Sequence, residues 1–217
     1  MGQVNTVGSR KESLRAGVLV EWVTIAWMII EVAVSVGSAW AAGSIALMAF
    51  GLDSGIELVS AGVLVWRLGL ERRGGDEERI EHAEQRAAGI VGWTLMLLAL
   101  YILASAAWGL LHHASSETTP WGIAIAAGAV VVMPILVGVK RRIARQIGSA
   151  ALKADAAEGI VCTYMAAVLL VGLLLRSLLG WWWADPLAAL GIVYFIVREG
   201  REAIEVSRGG EDHCDDD

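Results

Sequence analysis

The chain is poor in the residues that water-exposed chemistry relies on. Of 217 residues, two are cysteine (Cys162 and Cys214), three are proline, four are histidine, and only 18% are charged. Ordinary soluble domains carry about 25% charge. Two cysteines so far apart give no disulfide framework and no zinc-ribbon spacing. With 56% apolar residues and a mean hydropathy of +0.59, too little polar surface is left to clothe a soluble fold. That excludes a soluble globular enzyme, a disordered regulator and a nucleic-acid binder. No alternating apolar pattern of the barrel kind is present. No paired Ser/His and no HExxH lies within the apolar runs, so an intramembrane enzyme is not expected either.

What is present is apolar length. A bilayer core of about 30 Å needs about 20 apolar residues per helix. Six stretches qualify: 16–36, 44–68, 88–111, 121–139, 154–175, and 184–197 continuing amphipathically to 206. The expected architecture is an all-α membrane protein of six transmembrane helices. Residues 1–13 are expected to form a cytoplasmic amino-terminal segment, 14–207 the six-helix transmembrane domain, and 208–217 an acidic cytoplasmic tail; no soluble domain is expected after the last span. The amino terminus is polar and does not read as a cleavable signal.

Lys and Arg set the orientation. Sixteen of the 17 basic residues fall at the amino terminus, the second and fourth connections, and the carboxyl end; Arg176 alone falls on the other side. The positive-inside rule places both termini in the cytoplasm. The outer connections, 37–43 and 112–120, carry one charge between them, Glu117. Trp108, Trp121 and Trp181–Trp183 read as an outer aromatic belt.

Acidic residues inside the spans cost on the order of 3 kcal/mol each on insertion scales, so they call for a reason. Span 1 carries Glu21 and Glu31, span 2 Asp53 and Glu57, and span 5 Asp155, Glu158 and Cys162. Asp53 and Glu57 share a helix face at i and i+4, as do Glu158 and Cys162. If spans 2 and 5 face each other, Asp53 stands opposite Cys162 and Glu57 opposite Glu158. Carboxylates crowded in low dielectric must hold protons or share a cation. Four O/S ligands suit a tetrahedral transition-metal site. A thiolate favours zinc, cadmium or cobalt, and the carboxylates also fit Mn(II) or Fe(II). Gly51 and Gly55 make a small-xxx-small pair that either lets span 2 approach a neighbour beside Asp53 or serves plain packing.

Span 2 (SIALMAFGLDSGIELVSAGVLVWRL), span 5 (ALKADAAEGIVCTYMAAVLLVGLLL) and span 6 (WWWADPLAALGIVYFIVREGREAIE) together resemble the transmembrane domain of the cation diffusion facilitators. The likeness covers nearly all of 14–207 and points to a short, membrane-only branch. It implies that Asp53, Glu57, Glu158 and Cys162 hold the transported metal. It further implies a divalent metal exporter, a metal/proton antiporter with zinc as leading substrate and Fe(II), Mn(II), Co(II) or Cd(II) as others. A homodimer in the plasma membrane of a prokaryote is the implied setting, with no prosthetic group. The ligand types depart from the family's usual Asp, His or Asn. The alternative is a non-transporting metal-binding or partner-regulating subunit of the same fold.

Other residues have plainer readings. Glu21 and Glu31, ten apart, point about 80° from each other on a helix and cannot both face one site. Glu31 can assist the site or relay protons, Glu21 can line an inner vestibule, and each reads equally well as a helix-packing or partner-paired residue. Asp155 reads as a partner of Lys153 or an entrance residue. Asp185, before Pro186, reads as the N-cap of span 6. His112 and His113 read as loop residues, 76–84 as a solvated connector containing His82, and His213 and Cys214 as part of a disordered tail.

Overall fold

A computed structural model describes residues 3–71, 77–112, 117–147 and 150–208. Six helices follow one another: α1 (Gln3–Ala42), α2 (Ile45–Glu71), α3 (Glu77–Leu111), α4 (Pro120–Ile147), α5 (Ala150–Leu179) and α6 (Ala184–Ser207). Five of them, α1 to α5, are long and apolar enough to cross a membrane. The sixth is 24 residues long, about 36 Å at 1.5 Å per residue. Its second half is crowded with Arg198, Glu199, Arg201 and Glu202.

The expected outer connection over 37–43 shrinks to Gly43 and Ser44, because α1 runs on to Ala42. Nothing in 37–42 breaks a helix. Gly43 is the first residue to need a positive φ, +65°, the usual glycine stop. Gly180, at φ +69°, ends α5 the same way; the Arg176 guanidinium donates to its carbonyl at 2.9 Å.

Three connections meet at one end of the bundle. The Glu117 N–H donates to the Ala42 carbonyl at 2.8 Å, which ties the α3–α4 connection to the α1–α2 turn. Asp185, at the start of α6, accepts hydrogen bonds from the Ser44 hydroxyl and, at 2.9 Å, from the Ile45 N–H. The helices therefore alternate in direction. Trp40, Trp108, Trp121 and Trp181 are exposed at this end, and Trp22, Trp66 and Trp93 are exposed on helix segments toward the other. Trp22 and Trp40 are 18 residues apart, about 27 Å along α1, so the two belts bracket a hydrocarbon core.

Packing divides the bundle. Helix α1 packs on α2 and α4, and α4 on α5; α3 packs chiefly on α6. Helices α2 and α5 make the seam with the α3/α6 pair. Close backbone approach sets both parts. A Cβ at Gly51 would stand 2.9 Å from Ser35 and Val36 of α1, whereas one at Gly55 would make only ordinary contact. A Cβ at Gly92 of α3 would stand 2.8 Å from the Gly200 carbonyl oxygen of α6.

Candidate metal centre

Asp53 and Glu57 lie one turn apart on α2, two and six residues beyond the tight Gly51 contact. Asp53 is fully buried. Neither of its carboxylate oxygens has a hydrogen-bond partner, nor has either oxygen of Glu57. Across the seam, α6 brings Glu199, buried as well and with one oxygen equally unpartnered. Each of the three offers a carboxylate oxygen, and these oxygens lie within 4.8 Å of one another. The Gly92–Gly200 contact holds this turn of α6 against α3.

Five buried carboxylate oxygens without a donor make an incomplete site. A buried charge without a partner costs several kcal/mol. Water, protons or a cation must complete the set. Around a zinc-sized ion with bonds of about 2.1 Å, tetrahedral ligand oxygens stand about 3.4 Å apart. Oxygen ligands of this kind suit a divalent cation.

The other acidic residues go elsewhere. Glu31 is fully buried and surrounded by donors: the Trp27 indole at 2.7 Å, the Ser54 hydroxyl at 2.6 Å and the Cys162 thiol at 3.9 Å. Cys162 thus turns its sulfur toward Glu31 of α1 and stands outside the trio. Glu158 also stands outside it, with its side chain exposed, yet Asp53, Glu57 and Glu199 all feel its charge. Of the four residues expected as ligands, the structure brings Asp53 and Glu57 together and adds Glu199 to them.

Glu199 escaped the sequence reading because it sits in REGREAIE, among basic residues that mark a helix end. The available signal was Gly200 beside it and Gly92 on α3, a pair of small residues that could seat two helices tightly.

Glu21 and Asp155 share a different partner. The Lys140 ammonium lies 3.1 Å from Glu21 and pairs with Asp155. Lys140 belongs to the basic run that opens the fourth connection, yet its side chain is buried. Asp155 accordingly pairs with Lys140 rather than Lys153. As the sequence spacing required, Glu21 and Glu31 face separate clusters.

Asp185 is not the N-cap of its own helix. That position belongs to Trp183, and Asp185 lies in the first turn of α6. Its carboxylate instead holds the start of α2, where the Ser44 hydroxyl also accepts from the Leu47 N–H at 3.1 Å. The negative charge complements the positive end of the α2 dipole. His112 is exposed and stacks on Trp108 with ring centroids 3.8 Å apart. His113, the acidic tail with His213 and Cys214, and Asp76 lie outside the described residues.

Comparison with known proteins gives concordant results. The model of the cation efflux transmembrane domain matches residues 22–208. An uncharacterized transporter of Synechocystis sp. is 30% identical over 161 residues, 73% of this chain and 52% of the relative. Proteins called cation-efflux pump FieF in Salmonella arizonae and Salmonella newport are 26% identical over 178 residues, 76% of this chain and 57% of theirs. The chain thus spans about half the length of the curated relatives it matches.

Proposed function

The chain belongs to the cation efflux family, as a multi-pass integral membrane protein, and from that premise we propose that it exports divalent metal cations from a prokaryotic cytoplasm. The cation is held by Asp53 and Glu57 of α2 with Glu199 of α6. Glu158 of α5 supplies a further carboxylate along the route, and Cys162 acts from behind the site through Glu31. The observation that carries this reading is the set of five buried, unpartnered carboxylate oxygens on Asp53, Glu57 and Glu199.

Coupling follows from the same charges. With the cation absent, the crowded carboxylates are neutralised by protons. An arriving cation displaces those protons, and protons from the opposite side displace the cation. The result is metal/proton antiport. Zinc is the leading substrate, and the oxygen ligands also accommodate Mn(II), Fe(II), Co(II) and Cd(II). The working unit is a homodimer.

The site straddles the seam between α2 and the α3/α6 pair. Relative movement of these parts would therefore change the ligand set, which is what a carrier needs to bind on one side and release on the other. The test is zinc flux into proteoliposomes under an imposed pH gradient. Asp53→Ala is expected to abolish gradient-driven flux while the protein still folds. Unchanged flux in that variant would reject the site.

A further inference from the structure

Two lines of acidic and thiol side chains run through the bundle. On α5, Asp155, Glu158 and Cys162 fall at i, i+3 and i+7, a single face of the helix. On α1, Glu21 and Glu31 lie ten residues apart, about 15 Å along the axis. The lines touch at two levels. Deep in the bundle, the Cys162 thiol meets Glu31. At the basic end, Lys140 of α4 joins Glu21 to Asp155.

This lower crossing has an unusual composition. Lys140 is the only basic side chain fully buried among the described residues. Its two partners are carboxylates from two other helices, so the trio carries a net charge of −1 when all are ionised. One oxygen of Glu21 is buried with no partner of its own. Buried ion pairs are a poor source of stability, since desolvation offsets attraction, but they serve well to specify one of two arrangements. Glu158 stands one turn further in and lies within electrostatic reach of both Asp155 and Lys140. From there the acidic charges continue to Asp53, Glu57 and Glu199.

We propose that Lys140, held between Glu21 and Asp155, is a removable bar that closes the acidic path to cations at the basic end of the bundle. Its tethered ammonium carries the same sign as the cargo and occupies the outermost pair of carboxylates. A cation entering or leaving on this side must displace it. Once Lys140 swings out, the tie between Glu21 of α1 and Asp155 of α5 is broken, and the Asp155–Glu158–Cys162 face opens to the cytoplasmic side. What the path carries rests on the transport reading above; that it is closed here rests on the triad's geometry.

The buried Cys162 thiol reports the opening without any metal. In the 217-residue chain carrying Cys214→Ser, Cys162 is the only thiol. Its alkylation by a membrane-impermeant maleimide is followed in inside-out and right-side-out vesicles. Lys140→Met is expected to raise the labelling rate several-fold in inside-out vesicles. Because that variant leaves two buried acids without a counter-charge, the triple variant Glu21→Gln, Lys140→Gln, Asp155→Asn is measured beside it, with its melting temperature as the check on folding. A folded triple variant that labels at the parental rate, or faster only in right-side-out vesicles, would overturn the proposal. Absence of zinc flux in the parental protein, together with faster inside-out labelling of the variants, would overturn the transport reading and leave the bar standing.

Discussion

Gly92 of α3 and Gly200 of α6 meet so closely that a Cβ on Gly92 would stand 2.8 Å from the Gly200 carbonyl oxygen and 2.9 Å from the Ile204 backbone nitrogen. Backbone atoms cannot step aside as a flexible side chain can. The contact sits one residue from Glu199, so it sets both the α3/α6 pair and the position of a carboxylate in the candidate site.

Gly92→Ala is therefore expected to destabilise the protein by roughly 1–3 kcal/mol, the usual cost of overpacking, and to weaken zinc binding as Glu199 is displaced. Gly138→Ala is the control, because a Cβ there meets nothing within 4 Å. Thermal unfolding in detergent and zinc titration read both effects.

The α1–α2 contact makes a parallel prediction. Gly51→Val should cost about as much, since its Cβ alone would lie 2.9 Å from Ser35 and Val36. Gly55→Ala should be tolerated, as its nearest neighbour stands at 3.9 Å. The pair distinguishes close approach from a general need for small residues on α2.

Asp185→Ala removes the acceptor for Ser44 and the Ile45 N–H. Loss of about 1–2 kcal/mol is expected, in the range of a lost helix cap. Zinc stoichiometry should be unchanged, because Asp185 lies at the opposite end of α6 from Glu199. Melting temperature and equilibrium zinc binding measure the two sides of this prediction.

Cys162→Ser should keep the zinc stoichiometry, because the sulfur faces Glu31 and a hydroxyl can donate there in its place. A thiolate ligand would behave otherwise: the serine variant would lose affinity for cadmium more than for manganese, following ligand softness. Titrations of both metals into the two proteins decide between these roles.

Much of this was legible in the sequence, and for physical reasons. Six apolar runs and the one-sided placement of basic residues fixed the helix count and the alternation of direction. The i, i+4 spacing put Asp53 and Glu57 on one face before any coordinates. Tertiary choices were hidden. Whether a buried acid faces a metal site, a ring of donors or a lysine depends on the neighbouring helix. So Glu31, Glu21 and Asp155 looked alike in sequence and took different partners. Lys140 adjoins Arg141 and Arg142 in a basic run that set only the orientation, yet helical geometry turns it inward. Asp185 fitted the pattern of a cap and acts as one, but for α2.

Protons and a divalent cation competing for Asp53, Glu57 and Glu199 should leave a countable trace. Calorimetric titration of zinc into the purified protein, in buffers of differing ionisation enthalpy, counts the protons released per ion bound. At least one proton should leave with each zinc, affinity should fall as pH is lowered, and both effects should vanish in Asp53→Asn/Glu57→Gln. Zinc binding without proton release, or with undiminished affinity in that double variant, would contradict the exchange at this site.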